Sequence, residues 1–244
     1  MRLLIPCSKC IFSAGTPTLA LARVEVRDDG RYELTCPSGH TTVSLLQQQK
    51  FEVLFDLGAH AILDGYYREA VSSFATSLER FYEFAARVFL QNSAVPSDVA
   101  ASCWKEVSNQ SERQLGAFVF LWASYFHSKP VLLNSNQIAI RNSVVHKGKI
   151  PSKDEALSFG NAVLDTLRPC MLQLHGALQD AVQQVVFQSL RTMRASNLEE
   201  PSSTMCINTI ISLSAGGPSH HQGNLQHHLC ELEHWRSVLR AAGV

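Results

Sequence analysis

The chain carries 244 residues, 45% of them hydrophobic and 17% charged, which allows one medium domain with a buried core and a small appendage. Lys+Arg and Asp+Glu both number 21, so no global field draws the molecule to nucleic acid or membrane, and any RNA contact has to come from a local patch. No apolar run reaches the roughly 18 residues of a membrane span, and the expectation is a soluble, cytoplasmic protein with no membrane contact.

The opening Met1–Cys7 is too short in apolar residues for a secretory signal. Residues 1–43 then read as β-structure. The run from Thr18 to Val26 alternates toward its end, Asp28-Asp29-Gly30 is a turn signal, and Arg31–Thr35 is a second strand. A hairpin is expected between them. Two donor pairs flank it, Cys7-Ser-Lys-Cys10 and Cys36-Pro-Ser-Gly-His40. Folding the hairpin brings the pairs together, and Pro37 and Gly39 let the second pair turn tightly enough to face one ion. Cys7, Cys10, Cys36 and His40 are therefore the expected ligands of a structural zinc ion, with no position left for a reacting water. Such a zinc ribbon could bind RNA or a partner, but so small a β unit has little core of its own, and stapling is its default role. The other four of the seven cysteines, Cys103, Cys170, Cys206 and Cys230, read as buried reduced thiols.

From Val43 the pattern turns helical, and residues 44–194 read as an antiparallel all-α bundle. Leu45–Tyr66 has apolar residues at helical spacing. Tyr67–Gln91 is the longest signal, with Phe74, Leu78, Phe81, Tyr82, Ala85, Val88 and Phe89 in one stripe. Pro96-Ser97-Asp98 opens a helix to about Val107, and Glu112–Phe126 reads as a well-buried helix closed at Lys129-Pro130. Asn134–Lys147 is a further helix, ended by Gly148 as a left-handed cap. Ser152-Lys-Asp-Glu155 is a capping box for the next helix, which is expected to break or kink at Pro169 and resume through Leu172–Arg194.

One short motif on this bundle carries chemistry. In Arg141-Asn-Ser-Val-Val-His146 helical spacing puts Asn142 and His146 on one face, with Arg141 flanking them. A guanidinium offers a planar fork to a phosphate, and an imidazole can give or take a proton. A structural reading competes: Arg141 could pair with Glu79 or Glu83, and His146 could cap the helix C-terminus. With its preceding long helix and following capped helix, the motif resembles that of the HEPN superfamily, over about residues 44–194. The resemblance implies a metal-independent endoribonuclease with Arg141, Asn142 and His146 as catalytic residues. It also implies a homodimer that brings two motifs face to face, and a toxin, antiviral or stress setting with a regulatory protein partner. Several branches of that superfamily have lost activity, so the alternative is a non-catalytic HEPN and zinc-ribbon module for interaction or nucleic-acid binding.

The tail, 195–244, reads as a linker over Leu198–Ser203, a β-prone run Thr204–Leu213, a loop at Ala215–Pro218 and a helix Leu225–Ala242. It is rich in histidine, with His220, His221, His227, His228 and His234. His227, Cys230 and His234 share a helix face, but three aligned donors without a second cluster read as an amphipathic helix before a metal site. The expected class is mainly α: an antiparallel helical bundle with a small N-terminal β zinc ribbon and a short β/α tail.

Overall fold

The computed structural model describes residues 1–12, 21–194, 202–214 and 222–241, and the protein is mainly helical with a small β portion around the Cys/His cluster. Two units group by contact, and neither is continuous in sequence. A β unit takes its described residues from Met1–Gln48 and Val186–Asn208, and a helical unit takes its own from Gln49–Val185 and Thr209–Ala242. The expected divisions at 43 and 194 therefore differ from the observed grouping, because part of the tail joins each unit.

In the β unit, β1 (Arg2–Pro6) is followed by the short helix α1 (Ser8–Phe12), and β1 pairs antiparallel with β2 (Leu21–Glu25). Next, β3 (Arg31–Thr35) pairs antiparallel with β4 (Thr41–Leu46), which pairs parallel with β5 (Ser202–Met205). The hairpin expected across Asp28-Asp29-Gly30 is not formed. The turn exists, with Gly30 at φ +64°, but the strands on either side enter different sheets. Each has a better partner: β1 takes β2, and the tight Cys36–His40 turn delivers β4 to β3. Residues 18–20 of the expected first strand lie outside the described residues.

The helical pattern assigned from Val43 also begins too early, since β4 runs to Leu46. Val43 and Leu45 pack against Val186, Leu190 and Met193 from the second half of a long helix, Gln179–Arg194, and Thr42, Ser44 and Leu46 are buried as well. A strand covered on both faces loses its period-two alternation and is easily taken for the start of a helix. Beyond β5, Gln48 prolongs the ladder with its side chain. Its Nε2 donates to the Ile207 carbonyl at 2.9 Å, and the Ile207 amide donates to Oε1 at 3.0 Å.

The helical unit is built on α2 (Lys50–Leu63), α3 (Tyr67–Asn92), α4 (Ser97–Val107), α5 (Ser111–Phe126), α6 (Ser135–Val145), α7 (Lys153–Ala177), the first half of α8 (Gln179–Arg194) and α9 (Leu225–Ala241). Its centre is α3, which touches α2, α4, α5, α6 and α7. The predicted aromatic stripe is the core: Phe74, Phe81, Val88 and Ala85 are fully buried. Burying each large side chain contributes about 1.5–3 kcal/mol. Gly58 on α2 and Gly160 on α7 leave room for the Phe74 ring, whose atoms lie 2.6 and 2.7 Å from where a Cβ would stand.

Three expectations need correction. α5 is not buried all round: Gln114, Phe118 and Trp122 face inward, and Phe120 is exposed. α7 continues through Pro169 and the chain breaks only at Leu178. Proline removes one backbone bond, and the buried Leu167, Cys170, Met171 and Leu174 around it hold the helix. Of the four remaining cysteines only Cys170 is buried; Cys103, Cys206 and Cys230 are exposed.

After β5 the β-prone run leaves extended pairing, because its amides bond to carboxylates on α2. The Ile210 amide donates to Asp56 at 2.9 Å and the Leu213 amide to Glu52 at 2.8 Å. Both acids are buried, and burial pushes Glu52 up to about 8 and Asp56 up to about 7.

Candidate functional site

The first candidate is the Cys/His cluster of the β unit. Cys7 and Cys10 sit at the end of β1 and on α1, while Cys36 and His40 bracket the turn from β3 to β4. That turn is closed by the Gly39 amide donating to the Cys36 carbonyl at 2.8 Å and by the Cys36 amide donating to His40 at 3.0 Å. Gly39 has φ +81°, the conformation that favours glycine. The four donors predicted from spacing are the four brought together, all within 4.8 Å of one another, with the three cysteines buried.

A tetrahedral ion with metal–sulfur bonds of about 2.3 Å needs sulfur–sulfur edges of about 3.8 Å and slightly shorter sulfur–nitrogen edges. Cys10 and Cys36 sulfurs are 3.7 Å apart, and His40 Nδ1 lies 3.3 Å from Cys10 and 3.9 Å from Cys7. The cluster could hold one metal ion. Burial pushes the Cys36 thiol up, but the His40 and Ser38 amides and the thiols of Cys7 and Cys10 outweigh it and bring it down to about 6. A thiol that ionises easily is a ready metal ligand.

The second candidate is the motif on α6. Asn134 caps this helix, accepting from the Asn136 and Gln137 amides at 3.0 Å each. At the other end Gly148 takes φ +73° and the Lys149 amide closes onto the Ser143 carbonyl at 3.0 Å. The expected left-handed cap is present and leaves His146 exposed at the last turn.

Arg141 is the hub. Its Nη1 donates to Asn142 Oδ1 at 2.9 Å and lies 3.0 Å from His146 Nε2. Arginine can only donate, so in this contact a neutral imidazole would accept through Nε2. Its Nη2 donates to Glu79 of α3 at 2.5 Å and to the Ser111 hydroxyl of α5 at 3.3 Å. Arg141, Asn142 and His146 are thus brought together, and of the two carboxylates considered as partners Glu79 is the one used. Glu83 is taken by Arg80 and Arg87.

Ser111 and Glu112 complete the cluster and had no signal in the sequence, since they start a helix 30 residues before Arg141. Glu112's own amide holds its carboxyl below the usual range, aided by the Ser111 hydroxyl and the nearby Arg141 and His146 charges. Glu79, Ser111, Glu112, Arg141 and Asn142 form one edge of a pocket of about 260 Å³. A guanidinium that lines such a pocket and meets an imidazole nitrogen can bind an oxyanion with a proton acceptor beside it.

On α9 the donors of the tail do not converge. His227, Cys230 and His234 are exposed, while His228 is buried, with Nε2 3.0 Å from Arg168. Among the described residues the Cys7, Cys10, Cys36, His40 group is the one set of potential metal donors found. His220 and His221 lie outside the described residues. Among the described residues no helix is long and apolar enough to cross a membrane. No protein-family model matches this chain, and comparisons with curated proteins and with solved structures give no match.

Proposed function

We propose that this chain is a metal-independent endoribonuclease of HEPN type whose β unit is clipped by a structural zinc ion. The observation that carries the reading is the 3.0 Å approach of Arg141 Nη1, from a residue that lines a pocket, to His146 Nε2. In the proposed reaction an RNA phosphate takes the place of the Nε2 lone pair as a partner for Arg141. His146 Nε2 then accepts the 2′-hydroxyl proton as the 2′-oxygen attacks phosphorus. The P–O5′ bond breaks, the 5′-oxygen leaves as a hydroxyl, and a 2′,3′-cyclic phosphate remains. Asn142 holds Arg141, and the guanidinium offsets charge on the crowded phosphorane.

One imidazole cannot serve both ends of the reaction at once. A second copy of the chain, facing the first, would supply the proton for the leaving oxygen from its own motif. Three thiolates and an imidazole suit zinc better than calcium or magnesium. With every position filled by protein, the ion would tie Cys7 and Cys10 to Cys36 and His40 and take no part in cleavage.

The test is incubation of purified protein with single-stranded RNA in buffer free of magnesium, for wild type and His146→Ala. Cyclic-phosphate ends from wild type, with loss of at least 100-fold in rate in the variant, are expected. Cleavage that survives in His146→Ala removes the imidazole from the mechanism. A second reading, a non-catalytic interaction module, is favoured by the Glu79–Arg141 ion pair, which already satisfies the guanidinium. It is the outcome if wild type cleaves no RNA and substitution of the zinc ligands, not of Arg141, abolishes partner capture.

A further inference from the structure

The polar cluster forms only one edge of its pocket. The rest of the wall is apolar, contributed by Leu78 and Tyr82 of α3, Leu115 of α5, Leu132 and Leu133 of the following loop, and Ile138 of α6. A phosphodiester gains nothing from such a wall, because an anion loses hydration against it without finding donors. What fits is a flat, weakly hydrated body with a few polar atoms at one end. At about 260 Å³ the pocket lies just under the roughly 300–1,000 Å³ of sites for drug-sized ligands, which suits one ring system and not a whole nucleotide.

The polar edge narrows the choice. Arg141 provides positive charge where a linked phosphate would lie, so the ring belongs to a molecule with an anionic backbone. Glu112, held ionised, is purely an acceptor. It suits a ring edge that offers two parallel N–H donors, as guanine does with N1–H and its exocyclic amine. A base stacked in a duplex cannot enter such a pocket, and one splayed from a single strand can.

We propose that this pocket seats one unstacked nucleobase, guanine in preference to uracil, beside the phosphate that Arg141 holds. The proposal rests on the nuclease reading for its choice of ligand, but binding at the pocket does not require cleavage. Losing one such base contact is expected to weaken binding roughly 5- to 150-fold.

The experiment titrates fluorescein-labelled 2′-O-methyl hexanucleotides, which cannot be cleaved, against wild type, Leu132→Trp and Ile138→Trp. Guanosine, uridine or an abasic residue is walked through the positions, and anisotropy reads binding. The two variants fill the pocket from a loop and from a partly exposed helix position, and only variants that keep the wild-type melting temperature are scored. At one position the guanosine oligonucleotide should bind wild type 5- to 150-fold more tightly than the abasic one, with uridine between. The filled variants should bind all three as weakly as wild type binds the abasic one. Equal binding of all three by wild type, or a preference that survives filling, overturns the proposal. Cleavage of ordinary RNA that needs His146 but ignores the base would sink the base seat and leave the nuclease reading. Base-dependent binding without any cleavage would do the reverse.

Discussion

Glu52 and Asp56 lie one turn apart on α2, both buried, and together they anchor the segment that follows β5. Replacing Glu52 by glutamine tests how that anchor depends on pH. The Glu52 carboxyl accepts the Gln49 amide at 2.6 Å and the Leu213 amide at 2.8 Å. Its folded state holds the proton to about pH 8, against an ordinary value of 4.5. The unfolded chain therefore releases this proton first as pH rises. Stability attributable to Glu52 is full below pH 4.5, falls between 4.5 and about 8, and is gone above that. At about 1.4 kcal/mol per pH unit, the fall is at most about 5 kcal/mol.

Glutamine carries no such titration, but one of its two terminal atoms is a donor and cannot accept the second amide. At pH 5 the E52Q variant should be less stable than wild type by about 1–3 kcal/mol. By pH 8.5 it should overtake it. Trp104, Trp122 and Trp235 all belong to the helical unit, so tryptophan fluorescence in urea follows this transition. Midpoints at pH 5, 7 and 8.5 decide the matter. A gap between E52Q and wild type that is the same at all three would refute the argument, because then the buried acid does not titrate in this range.

If the Cys/His cluster holds zinc as proposed, Cys36→Ala is expected to reduce the metal from one equivalent to none, read by elemental analysis, and to open residues 1–48 to limited proteolysis. Gly58→Ala brings a methyl within 2.6 Å of the fully buried Phe74 ring and should destabilise the helical unit by about 1–3 kcal/mol in urea. Glu79→Gln removes the charge that holds Arg141. If the nuclease reading is right, kcat on RNA falls at least tenfold while KM changes less, and an unchanged kcat would deny Glu79 a positioning role.

What was legible in the sequence was local. The stripe of α3, the Ser152–Glu155 capping box, the Gly148 cap and the two donor pairs each rest on residues a few positions apart, where backbone geometry alone fixes the outcome. The pairings that failed are non-local. Nothing near Val43 announces that Ser202 will lie beside it, and with both faces covered β4 loses the alternation that marks a strand. The same holds for the site. The meeting of Arg141, Asn142 and His146 follows from their spacing along one helix, and Glu79 is one of the two carboxylates that the sequence offers to Arg141. Ser111, Glu112 and the apolar wall came together only through packing of α3, α5 and α6, which no short window encodes.

The parallel pairing of β5 with β4 has a consequence for how the molecule is made. β4 leaves the ribosome more than 150 residues before its neighbour, with residues Gln49–Val185 of the helical unit synthesised in between. Until Ser202–Met205 arrives, one flank of β4 offers unpaired amides and carbonyls to any other extended chain. Nascent or clipped forms ending near Arg194 would keep that flank open for good. Self-association of such fragments through this flank, which β5 covers in the full-length chain, is the behaviour this order of assembly dictates.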